Sequence, residues 1–265
     1  MTTSEKKPFV NVLLDSYLDS NVYRDLLKTF AKESISLLEY GNLSISNMSS
    51  ALVNQVQFSE SEISPFHKHD IDCDTALATA VRTQSAMTFN DIKIDFSALQ
   101  SFLIESFAFN QAGTRPYPSA GALYPVEALV FLFKERVDNF EMHPSGCYHF
   151  RPVAKKLQLI KLLAMPYFFD KLLHGHIKCH NAPCFGLMYL VNISKAIFKY
   201  RYRGYRHALM EVGSMYQQAT LVSQAMGLSN TVWSTFSEQE MLYALDLDHN
   251  SYLPMTMQFF GYTQS

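Results

Sequence analysis

The sequence predicts an α+β sandwich organised around one sheet. Two strongly apolar strand candidates at residues 126–133 and 184–193 carry that expectation, with a third at 254–262. A long helical pattern at 198–228 falls between the second and the third. Strands interleaved with helices bury their apolar faces by laying the helices on the sheet. At 265 residues the chain suits one main domain with appendages.

Composition excludes several classes. With 48% hydrophobic and 14% aromatic residues, the chain is too apolar to stay disordered. Its formal net charge of −2 argues against nucleic-acid binding by bulk electrostatics, so any arginine cluster is a local feature. Apolar runs fall short of the ~20 residues that a bilayer crossing needs, and no membrane partner is expected. The opening stretch carries Lys6 and Lys7, but Asn11 and Asp15 break its apolar run, so no signal peptide is evident. Cys73, Cys147, Cys179 and Cys184 show no CxxC spacing, which fits free thiols in a reducing cytoplasm.

Taken in order, residues 1–74 read as an arm or small adaptor module, and 75–265 as the main domain. Helical spacing over 22–38 (Val22, Leu26, Leu27, Phe30, Ile35) gives way to a Ser/Asn-rich stretch with weak periodicity. A short helix is expected from Thr75, and Phe96, Leu99, Leu103 and Phe107 mark a clearer amphipathic one. The turn-rich residues 110–125 feed the strand at 126–133. A hairpin at 147–151 and 156–160 follows, then a helix over 159–173 interrupted at Pro166. After the strand at 184–193 and the central helix come a strand or extended turn at 230–236, a short helix at 238–245 and the last strand. Glu238 and Glu240 are expected to be solvated on that short helix.

The chemistry concentrates in residues 198–228. Lys199, Arg201, Arg203 and Arg206 alternate with Tyr200, Tyr202 and Tyr205. Leu209, Val212, Tyr216 and Ala219 then recur at helical spacing, with Gly227 placed as a C-terminal cap. Cations at a helix start oppose the helix dipole by ~0.3–1 kcal/mol each unless an anion sits there. The pattern invites a phosphate or a carboxylate; a solvated basic turn is the plainer alternative.

Residues 115–125, RPYPSAGALYP, combine three prolines with the small Ser119, Ala120 and Gly121. Such a segment lets backbone amides approach a flat ligand, or simply forms a rigid loop. It is no phosphate-binding GxxxxGK[ST] loop, and no GxGxxG follows a strand. His174, His176, Cys179, His180 and Cys184 cluster, but without the paired short spacings of structural zinc sites, and no metal is expected. The absence of GxSxG leaves a triad hydrolase unsupported.

Taken together, PSAGALYP before a strand, FKYRYRGYR leading into ALMEVGSMYQ, and the late QFFG resemble the SagB-type flavin-dependent azoline dehydrogenases of the nitroreductase-like superfamily. The likeness is nearest to the dehydrogenase subunits of microcin-type azole synthetases. It implies a dimeric nitroreductase-like sandwich, a mostly antiparallel sheet flanked by helices, with FMN at the subunit boundary. It also implies oxidation of thiazolines and oxazolines to thiazoles and oxazoles in a ribosomally made precursor peptide, alongside cyclodehydratase subunits. By the same resemblance Lys199 and Tyr200 are catalytic. Ser119, Ala120 and Gly121 lie against the flavin, and backbone amides at Ser234 and Thr235 reach its ring. The family's arginine-rich phosphate element corresponds to residues 83–87, where only Ser85 is kept and Arg82 is displaced. Arg115, Arg201, Arg203 and Arg206 are therefore the candidates for the phosphate. The 1–74 arm is the candidate for docking to the cyclodehydratase. A nicotinamide-driven nitro- or enal-reductase and a non-catalytic scaffold subunit remain the alternatives.

Overall fold

The computed structural model describes residues 19–33, 49–57, 82–173 and 183–263. In chain order its elements begin with helices α1 (Ser20–Glu33) and α2 (Ser50–Gln57), the short strand β1 (Ile94–Asp95) and helix α3 (Phe96–Phe107). Strands β2 (Val126–Leu132), β3 (Val137–Asp138), β4 (Gly146–Arg151) and β5 (Lys156–Leu162) follow. Then come β6 (Phe185–Asn192), the helices α4 (Ile193–Tyr200) and α5 (Tyr202–Ala225), β7 (Ser229–Trp233), α6 (Glu238–Ala244) and β8 (Tyr252–Gly261).

Six strands form one antiparallel sheet in the order β5-β4-β2-β6-β8-β7, and β1 pairs with β3 in a separate parallel ribbon. The period-2 alternation of β2 sends its side chains to two cores. Val126, Ala128, Val130 and Leu132 join Leu99, Phe102, Val212 and Met215 on the α3–α5 face. Leu129 and Phe131 join Phe168, Met188, Phe236 and Met241 on the other. Covering both faces is why the central strands read as unbroken apolar runs.

Asp95 caps α3, its side chain accepting from the Ser97 amide at 2.8 Å. Gly227, at φ 74°, closes the end of α5 as expected.

Four sequence expectations need correction. The hairpin expected at 147–151 and 156–160 forms, but its second arm runs on to Leu162 where a helix was expected to start at 159. Pro166 stands in the first turn of Met165–Tyr167, where its missing amide costs nothing, and so begins a short helical segment (Met165–Tyr167, then Phe168–Leu172) rather than interrupting one. Glu238 is buried at the start of α6, while Glu240 is exposed. Leu209 is 40% exposed, and the buried stripe of α5 runs through Gly204, Ala208, Glu211, Val212, Met215 and Ala219.

The chain divides into a compact unit of residues 1–37 with 82–265 and a second unit of 38–81, of which α2 is the described part. α1 thus belongs with the main body and not with a detached arm of 1–74. Val22 and Leu26 are buried in the α3–α5 core, and the Tyr23 hydroxyl donates to the Asn250 carbonyl. The helix expected from Thr75 and the run from His174 to His180 lie outside the described residues.

Candidate functional site

The helical pattern at 193–225 is broken once, at Arg201, whose backbone turns to φ 50°, ψ −130° between α4 and α5. Gly204 makes the break possible. A Cβ there would lie 2.0 Å from the Ala196 carbonyl oxygen, so the first turn of α5 rests directly on the α4 backbone. Lys199 consequently occupies the last turn of α4, the end at which a cation is favoured. This corrects the expectation that all four cations crowd the start of one helix.

Against this corner stands the loop that precedes β2. After Ser119 the chain makes a 3-10 turn at Ala120–Ala122, and Gly121, Ala122 and Tyr124 adopt φ values of 64°, 56° and 48°. Ala and Tyr pay roughly 1–2 kcal/mol each in that left-handed region, so the loop shape is held by its surroundings. A Cβ on Gly121 would sit 2.8 Å from the Tyr200 hydroxyl and 3.3 Å from Lys199 Nζ. The structure therefore brings Lys199 and Tyr200 together with the 119–121 segment, across 78 residues of sequence from Gly121 to Lys199. Lys199 Nζ also lies 5.4 Å from the Tyr200 ring centroid, and the His207 ring meets Tyr200 edge-on at 4.8 Å. Among the described residues the buried His207 Nδ1 has no hydrogen-bond partner.

Behind the loop is a carboxyl group that the sequence pattern alone did not single out. Glu211, only 3% exposed, accepts from the Ser119 hydroxyl with one oxygen and from the Val126 amide at 3.4 Å with the other. Ser119 Oγ in turn accepts from the Tyr124 amide at 2.8 Å. Burial pushes the Glu211 carboxyl up to about 7, against the opposing pull of the Ser119 and Val126 hydrogen bonds and the Arg115 and Lys195 charges. A signal was present: Glu211 is the one acid at the buried spacing of Ala208, Val212 and Met215.

A second charged group lies nearby on β2, β4 and α4. Glu127 is 3.2 Å from His149 Nε2 and 3.5 Å from Lys195 Nζ. Burial works to raise Glu127, but the His149 hydrogen bond and the Lys195 charge outweigh it and hold the carboxyl below its ordinary value.

The arginines divide by role. Arg115 is buried, donates to the Tyr117 hydroxyl at 2.9 Å, and lies 4.5 Å and 5.0 Å from the Tyr124 and Phe109 ring centroids. It braces the loop from within the core. Arg201 pairs with Asp19 at 2.5 Å, and Tyr202 donates to Asp25 at 2.7 Å, so α1 supplies carboxylates to the start of α5. Part of the anion foreseen at this helix terminus is the chain's own. Arg203 and Arg206 are exposed on the first turns of α5. Ser234 and Thr235 occupy the turn after β7, where their carbonyls accept from the Phe236 amide at 3.2 Å and Trp233 Nε1 at 2.8 Å. Among the described residues no hydrogen bond joins that turn to the 119–124 loop. Within the same residues there is no metal-binding cluster and no helix long and apolar enough to cross a membrane.

An antiparallel sheet between helices, here carrying a small-residue loop that faces Lys199 and Tyr200, is the fold of the nitroreductase class of oxidoreductases. The chain belongs to the nitroreductase family, whose sequence model matches residues 82–262. It is 36% identical over 183 residues to the microcin B17-processing protein McbC of Escherichia coli, a match covering 68% of this chain and 67% of that protein. A chain of the E. coli microcin synthetase McbBCD complex, solved with truncated pro-MccB17 bound, superposes with a TM-score of 0.85 at 29% identity. That match covers 98% of this chain and 99% of the other. A nitroreductase-type structure from Ralstonia eutropha gives a TM-score of 0.56 at 16% identity, covering 73% and 88% of the two chains, and shows the shared fold.

Proposed function

We propose that this chain is an FMN-dependent azoline dehydrogenase, oxidising thiazolines and oxazolines in a heterocyclised peptide to thiazoles and oxazoles within a synthetase complex. The observation that carries the reading is the contact of Lys199 and Tyr200 with Gly121. It places a primary amine and a phenol against a loop whose missing side chain lets both come up to its backbone. The similarity to McbC and to a chain of the McbBCD complex supports the peptide substrate and the cyclodehydratase partners.

The residues present fit FMN. Ser119, Ala120 and Gly121 present backbone and little side chain, and Gly121 is exposed. Arg203 and Arg206 are the exposed cations available to the phosphate. Arg201 is engaged by Asp19 and Arg115 is enclosed by aromatic rings, so neither is assigned that role. Backbone amides at Ser234 and Thr235 remain the proposed contacts to the ring edge. Bound FMN supplies the two-electron acceptor that turns an azoline into its aromatic azole. The protein supplies orientation and a base: one of Lys199 Nζ and Tyr200 Oη takes the proton from the ring carbon, and the other holds the ring.

The functional unit is a homodimer. Leu209, Met210, Gly213 and Leu221 share one face of α5, and the three apolar side chains are 36–57% exposed. Among the described residues nothing requires Gly213, since its Cβ would meet only Tyr216 there, at 3.9 Å and beyond. A mid-helix glycine costs about 1 kcal/mol relative to alanine, and the close approach of a second copy accounts for it. Of the 1–74 arm expected to dock to the cyclodehydratase, residues 38–74 fall in the second unit and are the part proposed for that contact.

The test uses purified protein with its partner subunits. Flavin absorbance and the loss of two hydrogens per ring from a heterocyclised peptide, read by mass spectrometry, are expected together. A colourless protein whose partners still complete the oxidation would overturn the assignment.

A further inference from the structure

We propose that Glu211 is the positioning residue of this site: from inside α5, its ionised carboxylate holds the 119–126 loop in the shape that presents Gly121 to Lys199 and Tyr200. The inference rests on the reading of Lys199 and Tyr200 as the catalytic pair and deepens it. Three residues of the loop, two of them not glycine, stand in the left-handed region, and such a conformation persists only where something outside it fixes both ends. Here one carboxyl group does so. Ser119 at the entry donates to one Glu211 oxygen, and the Val126 amide at the exit donates to the other. The Tyr124 amide, on the last left-handed residue, closes the arrangement by donating to Ser119 Oγ.

The proton count gives the clamp a state. With Glu211 ionised, every donor in the group has an acceptor. With a proton on one oxygen the carboxyl keeps acceptor capacity, but its hydrogen bonds to Ser119 and Val126 lose their charge assistance and weaken. The charged and titratable groups facing Glu211 are Arg115 and Tyr117 from the loop side and Lys195 from α4. Arg115 and Lys195 favour the ionised form, and burial favours the acid, which brings the switch to about 7. The clamp is closed above that pH and loosened below it.

The experiment measures hydrogen exchange at the Tyr124 and Val126 amides of the full chain from about pH 6 to about pH 8, corrected for intrinsic exchange. Azoline oxidation by the FMN-loaded protein is followed over the same range. In the wild type both amides gain protection as pH rises through about 7, and turnover shows an acid limb with the same midpoint. Glu211→Gln has a single carbonyl acceptor and no titration, so its exchange and its turnover lose that pH dependence. Ser119→Ala loses protection at Tyr124 but keeps the pH response at Val126. An unchanged midpoint in Glu211→Gln, or amides indifferent to pH in the wild type, overturns the proposal. If the amides respond to Glu211 in this way while azolines are never oxidised, the positioning role stands and the proposed function fails. If azolines are oxidised while the amides ignore Glu211, the reverse holds.

Discussion

Replacing Gly121 with alanine perturbs the site at its narrowest point. The new methyl would stand 2.8 Å from the Tyr200 hydroxyl and 3.3 Å from Lys199 Nζ, against the ~3.5–4.0 Å of relaxed contact. Lys199 Nζ is the free end of a flexible side chain, and the Tyr200 ring, whose Cε2 would also lie 3.3 Å away, must pivot by about 0.5–1 Å, a shift that side chains and not backbone absorb. The stability loss is then mainly the left-handed backbone, about 1–2 kcal/mol. The displacement, however, falls on the two atoms proposed to react, and a shift near 1 Å at such a place lowers turnover about 100-fold. Gly113→Ala is the matched control. Gly113 has φ 73° with nothing within 4 Å of the added methyl, so it carries the backbone strain without the contact. Thermal unfolding should show similar losses for the two variants, whereas azoline oxidation should fall only in Gly121→Ala. Equal turnover in the two would refute the claim that this loop abuts the catalytic pair.

Other outcomes follow from the same geometry. Glu211 has its carboxyl raised from 4.5 to about 7 in the fold, so protonation stabilises the folded state, and that stability is lost as pH rises through about 7. The shift corresponds to about 3 kcal/mol, and Glu211→Gln should therefore raise the melting temperature more at pH ~8 than at pH ~5. A pH-independent difference would contradict the burial of an ionised acid. Gly213→Leu should leave the isolated helix at least as stable, by up to about 1 kcal/mol, yet split the proposed homodimer, as read by sedimentation. Asp19→Ala should free Arg201 and uncap α1 for a stability loss of ~1 kcal/mol, with little effect on turnover, in a denaturant titration.

Much of the fold was legible because burial leaves a pattern. β2 and β6 are apolar on both faces, and α3 shows its buried Leu99, Leu103 and Phe107 at helical spacing. The Lys199–Tyr200 pair and the 119–121 segment could be named separately, but their contact is a tertiary fact that no spacing encodes. The break at Arg201 was hidden because helix periodicity continues through it. Gly204 permits it by letting the first turn of α5 rest on the Ala196 carbonyl, which only packing reveals. The far end of β5 read as a helix start because Leu159, Ile160 and Leu162 fit either period, and pairing with β4 decided the matter. Glu211 was passed over because an acid within a helix is usually solvated; its neighbours at three and four residues marked it as buried.

The most direct test is Lys199→Ala in the assembled, FMN-loaded synthetase, with peptide mass followed over time. The variant is expected to fold, keep its flavin absorbance and leave azolines unoxidised. Near-normal conversion to azoles by that variant would contradict a catalytic role for the corner between α4 and α5.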